Sequence, residues 1–244
     1  MSNCVDPSDC IGKGSLCFYR GLNPFVSWFA LTCSVLSYIC IILALTRLMK
    51  SRKAVNARKI LVFYNALQIL LSVVMAVKLS PPLLNGVFNI NGQFCPDIEF
   101  WIFIHYCSKH LDMFDTIFML CRKRTEQLSF LHIYHHVTIG LIWGILLRNG
   151  LANGTAFWGA WINSTVHAFM YTHYLWTSFG FRNPMKFLLT KIQMFQFVLC
   201  ILHAALVVIF DRHFSLQWSS LQMVYHLSLL VLFINFYRVS KKKN

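Results

Sequence analysis

Seven stretches of apolar residues, each long enough to cross a lipid bilayer, dominate this chain of 244 residues. A membrane-spanning helix needs about 20 mostly apolar residues, because each residue rises about 1.5 Å through about 30 Å of hydrocarbon. The candidate spans cover residues 25–45, 60–77, 100–120, 128–147, 156–176, 187–210 and 221–237. The sequence therefore predicts an all-α integral membrane protein with seven transmembrane helices.

The composition favours the same class of protein. Hydrophobic residues make up 57% of the chain and charged residues only 12%, whereas charged residues are about 25% of a soluble domain. Intrinsic disorder is excluded because it requires low hydrophobicity. The net charge of +14 could suggest a nucleic-acid partner, but on an apolar chain it is more typical of loops that flank membrane helices. We expect membrane lipid around the protein and no nucleic acid.

The distribution of Lys and Arg predicts the orientation of the chain. Fifteen of these residues follow spans 1, 3, 5 and 7, and five lie in the other connections. Basic residues are retained in the cytosol, so residues 1–24 are predicted to be lumenal and residues 238–244 to form a cytosolic tail. The tail ends in Lys241, Lys242, Lys243 and Asn244, a spacing that resembles an endoplasmic-reticulum retrieval signal. We therefore predict one membrane domain, residues 1–244, in that membrane.

Two further features lie on the predicted lumenal side. Four cysteines fall there, where an oxidising compartment permits disulfides, and four cysteines allow three pairings. These cysteines are Cys4, Cys10, Cys17 and Cys95. Residues 153–155 read Asn-Gly-Thr, which is an N-glycosylation sequon close to the membrane. The sequence leaves open whether any of these sites is used.

Polar side chains inside the spans form stripes along single helix faces. They recur at spacings of three and four residues, which place them on one side of a helix. The stripes are His105, Lys109, Asp112 and Thr116 in span 3, His132, His135 and His136 in span 4, and Asn163, His167, Tyr171 and Tyr174 in span 5. Span 2 adds Asn65 and Gln68, and span 6 adds Gln193 and Gln196. Polar groups in hydrocarbon are costly, so these residues are candidates for function.

Three of these stripes reach a similar depth in the membrane. Counted from the cytosolic ends of their spans, Lys109 lies about 17 Å deep, His135 about 11 Å and His167 about 14 Å. The lumenal halves of the same spans are apolar, so we predict a polar chamber that opens to the cytosol above an apolar pocket. The predicted floor of this pocket consists of Leu146, Leu147, Phe157 and Trp161. A substrate with a polar head and a long apolar tail would fit this shape.

Three other interpretations are compatible with parts of this pattern of polar residues. A His-x-x-His-His face could bind iron, as in di-iron membrane desaturases and hydroxylases, but those enzymes need several such boxes and this chain has one. A cysteine nucleophile is possible at Cys107 or Cys121, although both lie off the Lys109 and Asp112 stripe. A seven-span receptor shares the span count and orientation, but its polar cluster would open to the exterior. We expect no metal and no other bound cofactor.

Four ordered motifs resemble the ELO family of very-long-chain fatty acid elongases. Residues 109–116 read KHLDMFDT against the family's KxxExxDT, and residues 132–136 read HIYHH against HxxHH. Residues 163–174 read NSTVHAFMYTHY against NxxxHxxMYxYY, and residues 190–197 read TKIQMFQF against TxxQxxQF. Asp112 stands where the family has Glu, and His173 where it has Tyr. The stretch QLSFLHIYHH, residues 127–136, is more similar to the polyunsaturated-chain branch of the family.

This resemblance implies both a fold and a reaction. Spans 2–7 would ring a narrow substrate tunnel, with span 1 outside. The enzyme would be a very-long-chain 3-oxoacyl-CoA synthase, which condenses a long-chain acyl-CoA, here a polyunsaturated one, with malonyl-CoA and releases CO2 and CoA. It would act through an acyl-histidine intermediate. The resemblance is also compatible with a homo-oligomer and with contacts to other enzymes of the elongation cycle.

The resemblance also assigns roles to residues of this chain. His135 would be the nucleophile, His132 and His136 would orient it and handle protons, and His167 would act at the malonyl thioester. The residues expected to bind substrate or shape the chamber are Lys109, Asp112, Asp115, Thr116, Arg122, Lys123, Asn163, Tyr171, Tyr174, Gln193 and Gln196. Arg122 and Lys123, together with Arg124, would lie at the mouth of the chamber, where CoA phosphates need cations.

Overall fold

The chain is almost entirely helical in the computed structural model, which describes residues 24–84, 86–181, 185–210 and 216–242. The helices are α1 (Trp28–Ser51), α2 (Arg58–Lys78), α3 (Gly86–Asn89), α4 (Pro96–Asp112), α5 (Phe114–Cys121), α6 (Phe130–Arg148), α7 (Phe157–Ser178), α8 (Lys186–Phe210) and α9 (Leu216–Lys242). No β-strand occurs within those four ranges. The predicted all-α class is confirmed.

Local sequence signals determine where several helices begin. The Ser27 side chain accepts a hydrogen bond from the Ala30 backbone N–H at 3.1 Å, and Ser129 accepts one from His132 at 3.2 Å. A serine at this position satisfies a donor that the first turn of a helix leaves unpaired. Pro96 lies in the first turn of α4, where its missing N–H costs nothing. The cap at Ser129 places the first histidine of the HxxHH motif in the first turn of α6.

The third predicted span is divided into two helices. Residues 100–120 were expected to form one helix, but α4 ends at Asp112 and α5 begins at Phe114. Between them, the Met113 backbone N–H bonds to the His110 carbonyl at 3.3 Å, three residues back instead of four. Such a tight turn within a helix frequently marks a functional site. Here the break lies between the two carboxylates of the motif, Asp112 and Asp115.

Five of the described helices are long and apolar enough to cross a membrane, namely α1, α2, α6, α8 and α9. Predicted spans 3 and 5, which contain α4 and α7, are not among the helices that are both long and apolar enough. α4 has 17 residues and includes Asp97, Glu99, Lys109 and Asp112, and α7 carries Asn163 and His167. The protein is therefore a membrane protein with several apolar helices, and a count of seven spans is not established by length and composition.

Six helices close a ring through contacts between neighbours. Starting from α2, the order of contact is α2, α4, α6, α9, α8, α7 and back to α2. Helix α1 packs on the outside, against α5 and α6. Helices α4 and α7, which both flank α2, also contact each other. This arrangement places the inner faces of α4, α6 and α7 around a common interior, where the polar stripes meet.

The ring carries apolar side chains on its outside and polar ones within. Phe63 on α2, Phe195 on α8 and Val224 on α9 are exposed. Among the buried residues are Gln68, Lys109 and Asp112. A soluble protein would not place its polar side chains in this way, because ionised groups are rarely buried and large apolar surfaces rarely exposed. The distribution fits a chain surrounded by lipid.

Asparagine side chains hold together the connections at the predicted lumenal end. Asn153 accepts a hydrogen bond from the Cys95 backbone N–H at 3.1 Å and donates one to the Cys95 carbonyl at 2.9 Å. Asn89 donates to the carbonyls of Gln93 and Gly154 at 2.8 and 3.1 Å. We call Asn89, Cys95, Asn153 and Gly154 the lumenal clasp. It fixes the start of α4 relative to the start of α7.

Residues of the clasp belong to both features predicted for the lumenal side, a disulfide and an N-glycosylation sequon. Cys95 is disulfide-bonded, so one of the four predicted lumenal cysteines does form a disulfide; Cys4, Cys10 and Cys17 lie outside the described residues. The sequon residue Asn153 uses its amide within the clasp, and Thr155 is buried. The sequon is therefore partly buried within the folded clasp.

Candidate active site

A buried ion pair lies at the centre of the ring. The Lys109 ammonium donates hydrogen bonds to Asp112 Oδ2 at 2.9 Å and to Asn163 Oδ1 at 2.8 Å. Lys109 is only 2% exposed. An ammonium group so far from water requires partners, because an unpaired buried charge is strongly unfavourable. This contact joins the stripes predicted on spans 3 and 5.

Asp112 is the residue that connects most members of the cluster. Its Oδ1 accepts hydrogen bonds from Gln68 Nε2 at 2.8 Å and from the Tyr171 hydroxyl at 3.1 Å. His167 Nδ1 lies 3.7 Å from its Oδ2. The aspartate that replaces the family's glutamate therefore reaches partners on α2, α4 and α7. The aspartate side chain also reaches the Lys109 ammonium at 2.9 Å.

Tyr171 links the second carboxylate to the first. Its hydroxyl lies 2.9 Å from Asp115 Oδ2 as well as 3.1 Å from Asp112 Oδ1. Because a hydroxyl has one hydrogen, it can donate to only one carboxylate at a time. Gln68 Nε2 has two hydrogens and three acceptors within reach: the Tyr171 oxygen at 3.1 Å, the Tyr64 oxygen at 3.0 Å and Asp112 Oδ1 at 2.8 Å. These contacts form one connected network, which we call the carboxylate cluster; its members are Tyr64, Gln68, Lys109, Asp112, Asp115, Asn163 and Tyr171.

The three histidines of the HxxHH motif lie in contact along α6. The ring centres of His132 and His136 are 4.2 Å apart, and those of His135 and His136 are 5.6 Å apart. His132 Nε2 is 2.7 Å from Thr116 Oγ1, whereas Nδ1 of His135 and Nδ1 of His136 are buried without a hydrogen-bond partner among the described residues. Buried polar atoms are usually paired, so unpaired ring nitrogens here favour a role in binding or chemistry.

His135 opens onto a cavity that is lined by residues of four helices. Asn163, which binds Lys109, lines the same cavity, so the carboxylate cluster and the cavity share a wall. The remaining lining residues are Ile139, Ile142, Trp143, Leu146, Ala156, Gly159, Gln196, Phe197, Trp218, Leu221, Gln222, Tyr225, His226 and Leu229. Most of them are apolar or aromatic, which is typical of a site that binds an apolar molecule.

The floor of the cavity differs from the prediction. Of the four expected residues only Leu146 lines the cavity. Leu147 and Phe157 are buried in the packed core, and Trp161 packs against that core. The reason is helical spacing: residues 135, 139, 142 and 146 share one face of α6, and residue 147 lies about 100° further around the helix. Trp143, Ala156 and Gly159 line the cavity, whereas Leu147, Phe157 and Trp161 do not.

Four predicted site residues lie outside this arrangement. Gln193 donates to Met170 Sδ at 3.5 Å instead of lining the cavity, and Tyr174 contacts the ring of Tyr171 at 5.8 Å. Arg122 and Lys123 are exposed in the turn that follows α5. Partial burial and the positive charge of Arg124 lower the pKa of the Arg122 guanidinium.

The part of the cavity wall that α9 forms was not predicted from the sequence. Residues 218, 221, 222, 225, 226 and 229 line the cavity, and their spacings of three and four residues were a signal that span 7 faces the interior. His226 Nδ1 donates to the Gln222 carbonyl at 2.8 Å, which leaves Nε2 as an acceptor. Gln68 was noted as polar but was not assigned to the site. Neither residue belongs to the four motifs.

The described residues contain no group of three or more His, Cys, Asp or Glu side chains arranged to hold a metal ion. The cysteines that were considered as nucleophiles are free thiols, and neither Cys107 nor Cys121 lines the cavity. The polar groups in the site are therefore histidine, lysine, carboxylate, amide and phenol side chains.

Comparison with known proteins agrees with the resemblance of the four motifs. The family model described as ELO: GNS1/SUR4 family matches residues 23–244. The chain belongs to this family. It is 63% identical to fatty acid elongase 4 of Trypanosoma brucei brucei, a match that covers 100% of this chain and 96% of the relative. It is 34% identical to very long chain fatty acid elongase 5 of Bos taurus, over 85% of this chain and 72% of the relative.

Family membership confirms the resemblance of the four motifs to ELO elongases. A third relative, fatty acid elongase 5 of Trypanosoma cruzi, is 59% identical over 98% of this ELO chain and 94% of its own length. Full-length matches to proteins with this name support fatty acid elongation as the class of activity, and the ELO chain as an enzyme. The structure adds which side chains of this chain meet.

Proposed function

We propose that this ELO protein is a very-long-chain 3-oxoacyl-CoA synthase that condenses a long-chain acyl-CoA with malonyl-CoA. One observation carries the proposal: His135 opens onto a cavity with a mostly apolar lining, and Asn163 connects that cavity to the carboxylate cluster. A nucleophilic side chain at the entrance of an apolar cavity suits a substrate with a reactive head and a long tail.

The reaction balances in two steps. In the first, a ring nitrogen of His135 attacks the thioester carbonyl, the C–S bond breaks, and CoA leaves as a thiolate that takes up a proton. In the second, malonyl-CoA loses CO2, and the resulting enolate attacks the acyl carbon and releases the imidazole. The product is 3-ketoacyl-CoA, two carbons longer. Covalent catalysis of this kind replaces one difficult step by two easier ones.

The neighbouring groups have roles that follow from their positions. His136 packs against both His132 and His135. His132 and His136 would therefore orient the nucleophile His135 and handle protons. His167 lies beside Asp112, where it would act on the malonyl thioester. Lys109 and Asn163 would hold the thioester end of the substrate at the polar wall. No bound cofactor takes part in these steps.

The substrate would enter from the cytosolic side. Arg122, Lys123 and Arg124 form an exposed basic turn after α5, and cations of this kind bind phosphate groups of CoA. The acyl tail would extend from His135 along Ile139 and Ile142 toward the predicted lumenal end. A polyunsaturated tail is supported by the resemblance of residues 127–136 to that branch of the family.

The membrane arrangement is part of the same proposal. The ring of six helices with α1 outside is compatible with seven spans, of which α4 with α5 and α7 would be the two with polar interiors. The segregation of Lys and Arg supports a lumenal amino terminus and a cytosolic carboxyl terminus. The Lys241–Asn244 spacing supports residence in the endoplasmic reticulum. A homo-oligomer and other enzymes of the elongation cycle are the partners we would test first.

The acyl-histidine intermediate can be tested directly on purified protein. Incubation with acyl-CoA alone, followed by denaturation and digestion, should yield an acyl mass on the HIYHH peptide, and His135→Ala should abolish both this mass and condensation. His110→Ala is a matched control, because His110 on α4 does not line the cavity. An adduct on Cys107 or Cys121, or noncovalent acyl-CoA only, would contradict the proposal.

A further inference from the structure

Helix α1 packs outside the ring, yet one of its side chains reaches the histidine motif. The Tyr38 hydroxyl lies 2.7 Å from Thr116 Oγ1, and the same oxygen lies 2.7 Å from His132 Nε2. Tyr38 is 3% exposed and Thr116 fully buried. Three elements, α1, α5 and α6, are thus joined by two short hydrogen bonds that meet at one hydroxyl.

The two bonds have a preferred direction. Each hydroxyl has one hydrogen to donate. If Tyr38 donates to Thr116 and Thr116 donates to His132, both hydrogens are used in the observed contacts. In the opposite direction the Tyr38 hydrogen would have no acceptor among these three groups, at a position from which water is excluded by Ile42, Leu120 and other apolar side chains. The forward direction makes His132 Nε2 the acceptor and leaves the hydrogen on Nδ1.

The position of His132 affects the other histidines. Its ring lies 4.2 Å from that of His136, and the ring of His136 lies 5.6 Å from that of His135. Tyr38 itself contacts His136, with ring centres 6.5 Å apart. A rotation of the His132 ring would therefore disturb the packing that orients His135. Besides this packing, the bond to Thr116 is the one hydrogen bond that the described contacts give the His132 ring.

We propose that Tyr38 is a positioning residue for catalysis: through Thr116 it fixes the orientation and tautomer of His132, so that the helix outside the ring is part of the active site. This inference rests on the proposed role of the HxxHH motif in condensation. Tyr38 touches neither the cavity nor the carboxylate cluster. Its effect should therefore appear in turnover and not in substrate binding.

Kinetics of the purified full-length protein test this proposal. Tyr38→Phe removes one oxygen atom and should lower kcat roughly tenfold, the size expected when a buried hydrogen-bonding group loses its partner, with KM for acyl-CoA unchanged. Thr116→Val should have a similar effect, and Thr116→Ser, which keeps the hydroxyl, should recover most of the rate. Tyr38→Phe added to Thr116→Val should cause no further loss, because residues in one network are coupled.

Tyr106→Phe is the matched control. The Tyr106 hydroxyl donates to the Phe25 carbonyl at 3.0 Å, so it also anchors the segment that leads into α1, but 13 residues before Tyr38 and away from the HxxHH motif. Tyr106→Phe should leave kcat unchanged. Equal losses in Tyr38→Phe and Tyr106→Phe would show that only the docking of α1 matters, and independent, multiplying losses for Tyr38 and Thr116 would also overturn the proposal.

The result of these kinetic measurements can be distinguished from the result of the acyl-histidine experiment. The adduct experiment reports on His135 in the wild-type protein, whereas the cycle of Tyr38 and Thr116 variants reports on turnover whatever the intermediate is. A wild-type adduct on His135 together with an unchanged kcat in Tyr38→Phe would reject the positioning role alone.

Discussion

At the scale of single residues, the site depends on polar groups that have no access to water. Lys109 and Asp112 are paired with each other, Lys109 also bonds Asn163 on α7, and Asp112 also bonds Gln68 on α2. A buried pair of this kind is not itself a large source of stability, because the loss of hydration offsets the attraction. Removal of one member is costly, because the other remains charged in the interior.

Asp112→Ala should therefore destabilise the protein by about 3–5 kcal/mol, because it leaves the Lys109 ammonium buried without its carboxylate. Thermal unfolding in detergent measures the change. Glu126→Ala breaks the pair between Arg124 and Glu126, whose side chains are 57% and 63% exposed, and should cost at most about 1 kcal/mol. Similar losses in the two variants would mean that the Lys109 ammonium is solvated in the folded protein.

At the scale of helices, α6 and α7 form one wall of the cavity and determine how far a tail can extend. Leu146 and Gly159 both line the cavity beyond His135. A methyl group added at Gly159 would lie 3.6 Å from Trp143 Cζ2, an ordinary van der Waals distance. The wall can therefore be enlarged at one position and reduced at the other without a clash.

We expect Leu146→Ala to lengthen the products and Gly159→Ala to shorten them, because the first enlarges the cavity and the second fills part of it. Product profiles from cells fed single fatty acids, read by mass spectrometry, give the comparison. Leu147→Ala is the control, because Leu147 is buried in the core and does not line the cavity. It should reduce stability with no change in chain length. Unchanged profiles at both cavity positions would place the tail elsewhere.

The lumenal clasp is a second element that can be tested alone. Asn153→Ala should destabilise the protein by about 1–3 kcal/mol, because the backbone N–H and carbonyl of Cys95 lose their partners. Glycosidase treatment of the wild-type protein should not change its electrophoretic mobility, since the Asn153 amide is used within the clasp. A mobility shift that Asn153→Gln abolishes would show that the sequon is used and that the clasp forms differently.

At the scale of the whole molecule, the ring and the distribution of Lys and Arg together predict how the chain lies in the membrane. The stripes of α4 and α7 meet inside one ring, and the basic turn follows the carboxyl-terminal end of α5. The proposed arrangement gives the site one charged opening and one apolar end.

Tags at the two termini test this arrangement in sealed microsomes. Protease added to the cytosolic side should remove a carboxyl-terminal tag and spare an amino-terminal one, as an odd number of spans requires. Permeabilised microsomes serve as the control, in which both tags should be lost. Removal of both tags in sealed microsomes would exclude seven spans and indicate an even number.

The sequence by itself determined the membrane class, the helical stripes and the family. These properties depend on local apolar length and on spacings of three and four residues, which one chain displays without its neighbours. It predicted that the polar stripes of spans 3, 4 and 5 would present Lys109, His135 and His167 at one level, because costly polar groups in hydrocarbon need a partner or a cavity. Gln68 was noted as polar but not assigned to the site, and the spacing of the α9 residues that line the cavity was overlooked, because none of these residues belongs to the four motifs.

Only the tertiary structure decided the cavity floor, the break at Met113 and the contact from Tyr38. The rotation of α7 about its axis depends on packing with α2 and α8, so Trp161 and Gly159 could not be ranked from hydropathy. The break at Met113 lies between Asp112 and Asp115, and both carboxylates contact the Tyr171 hydroxyl on α7, a residue that is distant in sequence. Tyr38 and Thr116 are 78 residues apart, and their meeting follows from the docking of α1 against α5 and α6, which no local pattern encodes.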